Sequence, residues 1–231
     1  MNKTIFATAL FLFGTIVTGQ EAYTLKMTVK TEGLPAEYAA YGEQEITTYM
    51  KGDKTKTDVS SMMFNSTVYF DGKMMTSLSE TMGNKTGFTA TKEELETNDK
   101  GEKKEKPVIE YTNEKKMIAG YECTKAVVTT VGKDKKENKT IVWTTDKIKG
   151  NPSARRGGGR GGMVDLSDVK GHPLAMEMTQ MNQGQEMKII MTTTEVATTP
   201  LDDKIFIPNT EGYKMMTYKE MLEKQKTMGG R

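Results

Sequence analysis

His172 and Cys123 are the only imidazole and the only thiol among 231 residues, and this scarcity settles much of the available chemistry. One of each cannot build a zinc site from histidines or cysteines, a disulfide framework, or a pair of imidazole acid/base groups. His172 stands between Gly171 and Pro173 with no GxSxG motif beside it, and reads as a turn histidine at a strand entrance. Cys123 alternates with Tyr121 and reads as a small buried apolar residue, with a reactive thiol as the alternative. The carboxylate pairs Glu93-Glu94 and Asp202-Asp203 fall in a helix start and a turn, without the apolar surroundings that would raise a pKa for acid/base work. No catalytic residue is assigned, no cofactor is implied, and an enzyme is not expected.

Methionine is the exception, because its 19 residues make it the commonest core-type side chain. Around the turn Asn182 to Gly184, pairing Met181 with Glu186 sets Met178 opposite Ile189 and Met176 opposite Met191. Leu174 and Met187 extend that face, while Glu177, Thr179 and Lys188 fall on the other. Three readings follow. The face is an ordinary core, or a pliable pocket in which unbranched thioethers re-pack around apolar ligands. Otherwise the run Met176 to Met181 supplies soft ligands for Cu(I) or Ag(I), although alternation puts Met181 on the side away from Met176 and Met178. The doublets Met62-Met63, Met74-Met75 and Met215-Met216 bear on the same question. Placed on strands, the first two would make both faces apolar there, and the second face would need cover.

The elements that must position these residues read as strands. Thr, Val, Ile and Tyr recur along the chain, and in the first strand Tyr23, Leu25, Met27 and Val29 alternate with polar neighbours. Further strands are expected at 45–51, 55–64, 66–70, 73–79, 85–90, 108–112, 121–131, 139–145, 174–181, 186–196 and 204–207. Gly52-Asp53, Asp71-Gly72 and Asn182 to Gly184 mark tight turns between them, so consecutive strands are antiparallel. Capping boxes at Thr91 to Glu94 and Thr217 to Glu220 predict a short helix and a terminal helix at about 218–226.

Residues 1–19 read as a cleaved secretory signal: Lys3, an apolar run from Ile5 to Val17, and small or neutral residues before Gln20. The run is too short to span a bilayer comfortably, no Cys at the cut offers a lipid anchor, and no transmembrane anchor is expected. The product would be periplasmic or secreted. Residues 20–231 read as a single domain interrupted by a Gly/Arg-rich loop at about 149–162, disordered by composition. With 33 basic and 31 acidic side chains, neither nucleic acid nor an acidic membrane surface is implied as a partner.

The segments Tyr69 to Met74, Ile118 to Ala126, Val142 to Asp146, Gly171 to Leu174, and Ile207-Pro208 with Gly212 to Met216 occur in a distinctive order. In that order they resemble an uncharacterised family of exported bacterial proteins related to the periplasmic lipoprotein carriers. The likeness covers about residues 21–221. It implies a mainly β fold, a strongly curved antiparallel sheet forming an incomplete barrel, with a few helices covering a hollow that can receive acyl chains. The function expected is a non-enzymatic binding protein for a hydrophobic small molecule or lipid, with an envelope protein as a further partner. The ligand-binding residues expected are Leu174, Met176, Met178, Met187, Ile189 and Met191.

Overall fold

The computed structural model describes residues 21–97, 106–131, 137–149, 166, 168–182 and 185–229. The predicted signal segment and most of the predicted Gly/Arg-rich loop lie outside the described residues. The alternating Thr-rich segments form strands β1 (Ala22–Glu32), β2 (Glu43–Lys51), β3 (Lys54–Ser60), β4 (Phe64–Phe70), β5 (Met74–Thr81) and β6 (Asn84–Thr91). Helix α1 (Lys92–Glu96) follows, then β7 (Val108–Ile118), β8 (Tyr121–Val131), β9 (Glu137–Thr145), β10 (His172–Asn182), β11 (Gln185–Ala197), β12 (Lys214–Thr217) and α2 (Tyr218–Gly229).

All twelve strands join one sheet in the order β12-β6-β5-β4-β3-β2-β1-β11-β10-β9-β8-β7. The sheet does not close, and its curvature follows from its contacts. Strands β7 and β11 stand four positions apart, about 19 Å in a flat sheet at ~4.8 Å per strand, yet Cα atoms of the two come within 8 Å. Leu25 on β1 and Cys123 on β8 likewise share one apolar cluster, although β11, β10 and β9 lie between them. Such contacts exist only on a concave side, so the sheet is the incomplete barrel expected.

Helices cover one flank of the hollow. The partners Tyr23, Met50, Thr55, Phe70, Met75 and Ala90 run in register across β1 to β6, and Leu95 of α1 and Tyr218 of α2 pack on the cluster at its far end. Both predicted capping boxes form. Glu94 N–H donates to Thr91 Oγ1 at 3.2 Å and Thr91 N–H to the Glu94 carboxylate at 2.8 Å; Thr217 and Glu220 repeat the exchange at 2.7 and 3.3 Å.

Four expectations need correction. The segment 55–64 is no single strand, because Ser61 Oγ accepts from the Met63 and Phe64 N–H groups and holds residues 61–63 in a turn. Met62 and Met63 are therefore exposed on a loop, and Met74 is exposed at a strand start while Met75 is buried. Neither doublet makes both faces of a strand apolar. The segment 204–207 forms a 3-10 turn, Asp203–Phe206, started by the Asp202 carboxylate accepting from Lys204 N–H at 2.9 Å. Strand β7 runs to Ile118 through a polar stretch that resembles a loop, and β12 pairs parallel to β6, which no hairpin spacing foretells.

Candidate functional site

The hairpin β10–β11 has the register expected from its alternation. Met176 pairs with Met191, Met178 with Ile189 and Met181 with Glu186. The rows continue across the curve: Val29, Met191, Met176, Val142 and Ala126 are successive cross-strand partners, and so are Thr31, Ile189, Met178, Thr140 and Val128. These two rows pave the concave side of five strands with mostly apolar side chains. On the convex side Lys188 Nζ bridges the Glu177 carboxylate at 2.8 Å, a polar pair facing water.

The six expected ligand-binding residues divide. Met176 and Met178 are buried in a cluster with Val128 and Val142, and Ile189 and Met191 pack against it half-buried. Met187 is also half-buried, one strand alternation further along the same face. Leu174 belongs elsewhere, in the cluster of Leu25, Cys123 and Ile148 that fills one end of the hollow. The register shift between Pro173 and Ala175 relative to β9 separates it from Met176.

Two residues were missed. Leu166 and Val169 are buried against Val128, Val142, Met176 and Met178, so the chain itself covers the hollow over β8 to β10. This segment is held in place: Val169 N–H donates to the Leu166 carbonyl at 3.1 Å, Lys170 N–H donates to the Tyr111 hydroxyl at 2.7 Å, and Lys170 Nζ lies 5.8 Å from that ring. The only sequence signal was the three-residue spacing of two apolar side chains after a Gly-rich run. Between this strap and the helices, the middle of the hollow is lined by half-buried Met27, Ile189 and Met191, with Val29 beneath. Thr193 lies beside them opposite Met27, and its buried hydroxyl has no hydrogen-bond partner among the described residues.

The groups with chemical potential lie apart from this surface or are silenced. Cys123 is fully buried, and desolvation pushes its thiol up to about 11. His172 stands at the strand entrance expected, as the first residue of β10, and is buried there; Gly171 before it, at φ 77°, fits against the Thr145 carbonyl, which a Cβ would meet at 2.7 Å. Among the described residues no three His, Cys, Asp or Glu side chains group as metal ligands. Met181 is exposed and points away from Met176 and Met178, which does not fit a shared thioether site. Among the described residues no helix is long and apolar enough to cross a membrane.

No protein-family model matches the sequence, and no curated protein matches it. Among solved structures it is similar to PNGF-II, at 16% identity over 89% of this chain and 32% of that one, with a TM-score of 0.49. It is also similar to the Mycobacterium tuberculosis lipoprotein LppX, at 10% identity over 78% and 88% of the two chains with a TM-score of 0.35. A third is an outer membrane lipoprotein-sorting protein domain from Vibrio parahaemolyticus, at 9% identity over 82% and 90% with a TM-score of 0.34. The chain spans about a third of the length of the first of these.

Proposed function

We propose that this chain is an exported, non-enzymatic binding protein that holds a lipid or acyl chain in the middle of the concave sheet. The observation that carries this reading is the surface made by Met187, Ile189 and Met191 on β11 with Met27 on β1, half-buried between two covered flanks. Unbranched thioethers suit an apolar chain of variable shape, since they re-pack at little cost. Met176 and Met178 form the adjoining wall, and the Thr193 hydroxyl is a polar atom that a ligand oxygen could satisfy. Side chains of this kind neither transfer protons nor attack bonds, which supports binding without catalysis. Lys3 and the apolar run from Ile5 to Val17, which read as a secretory signal, support a location in the periplasm or outside the cell, and the full mature chain as one domain with an envelope protein as a further partner completes the reading.

Titration with a fluorescent fatty acid below its micellar concentration tests the site. Ile189→Lys is the informative variant, because a half-buried position lets the ammonium reach water in the empty protein but not beneath a bound chain. Uptake is expected to weaken by more than about tenfold, as a desolvated ammonium costs over ~1.4 kcal/mol. Wild-type protein that binds no acyl probe, or a folded variant that binds it equally well, overturns the proposal.

A further inference from the structure

The concave side of the sheet changes character beyond Met27. Leu25, Thr48, Thr57, Val68 and Ser77 are successive cross-strand partners across β1 to β5, and so are Met27, Ile46, Val59, Ser66 and Ser79. Every Lys, Asp and Glu of β1 to β6 falls on the convex side, among them Lys26, Lys56, Asp58 and Glu80. Followed toward β12, the concave rows meet a charge only at the sheet edge, where Lys214 stands opposite Thr86. Hydroxyls take inward places instead: Thr48, Thr57, Ser66 and Ser79 are half-buried and Ser77 is buried. They begin one strand beyond β1, about 4.8 Å from the strip of Met27, Ile189 and Met191.

The internal hydrogen bonds of this surface use up its hydrogens and leave its oxygens. Ser66 Oγ donates to the Leu78 carbonyl at 3.1 Å, so the 3.2 Å contact between Ser66 and Ser79 takes the Ser79 hydrogen. Thr48 and Thr57 share one hydrogen at 3.2 Å and keep a single donor between them. With two lone pairs on each oxygen, these four hydroxyls retain one hydrogen and several acceptor positions. Thr193 adds a second observation. It is 2% exposed, lies opposite Met27 on the row that reaches Ser66, and its hydroxyl has no hydrogen-bond partner among the described residues. A buried hydroxyl left so is costly unless a ligand completes it.

We infer that the hollow takes an amphiphile with an uncharged polyol headgroup, its chain along Met27, Ile189 and Met191 and its hydroxyls on the Ser and Thr oxygens of β2 to β5. This headgroup assignment extends the acyl-chain reading above and rests on it. The hydroxyls of a polyol donate, which is what the unused lone pairs accept. An ionised carboxylate or a phosphodiester brings acceptors and a charge to a surface that offers one hydrogen and no cation, and a charge taken out of water without a partner is strongly disfavoured. The apolar strip and the hydroxyl surface lie side by side on one uncharged floor, so chain and headgroup bind at the same time.

Isothermal titration with three amphiphiles of one chain length, dodecyl glucoside, dodecanoate and dodecylphosphocholine, each below its micellar concentration, tests the headgroup. Wild-type protein is expected to bind the glucoside about tenfold more tightly than either charged amphiphile, a difference of ~1.4 kcal/mol that one or two net hydrogen bonds supply. Thr57→Val with Ser79→Ala removes two of the oxygens with little change of shape, and is expected to bind glucoside and dodecanoate alike, with its dodecanoate affinity as in wild type. Thr57→Ser with Ser79→Thr retains both hydroxyls and is expected to keep the preference. Free glucose, which lacks the chain, is expected not to bind. Equal affinities for the three amphiphiles in wild-type protein, a preference that survives the loss of both hydroxyls, or free glucose bound as tightly as the glucoside overturns the headgroup assignment, and dodecanoate binding then leaves the acyl-chain reading standing. Wild-type protein that binds none of the three overturns both.

Discussion

Burial pushes the Cys123 thiol up to about 11, against a smaller pull downward from Lys116. The neutral thiol is the form the fold prefers, whereas an unfolded chain ionises near ~8.5. Its contribution to stability is therefore complete below the unfolded value and is lost as pH rises toward 11. At pH 8, alkylation by iodoacetamide should run about a hundredfold slower in native protein than in urea-unfolded protein, followed by mass; equal rates would show that the site is open. The burial of Cys123 was readable from its alternation with Tyr121, and the pairing of Met176 and Met178 with Met191 and Ile189 was readable for the same reason, since a one-residue slip would turn Glu177 inward. His172 was not. Glycine and proline on either side mark a turn and say nothing of burial, and His172 is buried where β10 pairs with Thr145 of β9, a segment far from it in sequence.

Hairpins were legible as elements because their turns carry glycine and aspartate: Asp71 accepts from Lys73 and Met74 N–H at 2.9 and 2.8 Å, as its place before Gly72 suggests. The turn at Ser61 was misplaced by its apolar content, since Met62 and Met63 continue a strand-like run while only the serine hydroxyl ends it. Strand β12 was invisible: four residues, Lys214 to Thr217, carry no pattern long enough to read, and their partner β6 is distant in the chain. Its docking depends on Gly87, where an added Cβ would lie 2.7 Å from Met215 Sδ, 2.8 Å from Leu78 Cδ2 and 2.9 Å from the Ser77 carbonyl oxygen. Gly87→Val should cost about 1 to 3 kcal/mol through overpacking. Because β12 leads directly into α2, hydrogen exchange should accelerate over 214–229 before it does so in β1 or β2. Unchanged protection of that segment would mean that β12 is held by something other than this close fit.

Across the whole molecule, strand number and antiparallel pairing followed from local signals, but curvature did not. Nothing in the spacing of Leu25 and Cys123 announces that they meet; the family resemblance supplied the half-barrel, and the contacts between β7 and β11 establish it. An open sheet curved this far leaves its hollow to be filled, and here α1 and α2 fill one flank and Leu166 with Val169 the other. A ligand in the space between would touch β11, β1 and the strap together, joining the two flanks, and it would bind the folded chain alone. Binding to the native state only stabilises it by mass action, about 2.7 kcal/mol at a free concentration one hundred times Kd. For a chain of this length, 2 to 4 °C per kcal/mol translates that into a rise in Tm of about 5 to 10 °C. Calorimetry with increasing acyl probe, kept below its micellar concentration, should show the midpoint climbing with the logarithm of probe concentration in wild-type protein, and a much smaller rise at the same concentrations in Ile189→Lys. A midpoint that stays fixed in wild-type protein would mean that the gap between the flanks is closed by the protein's own side chains and that the Met-rich face is ordinary core.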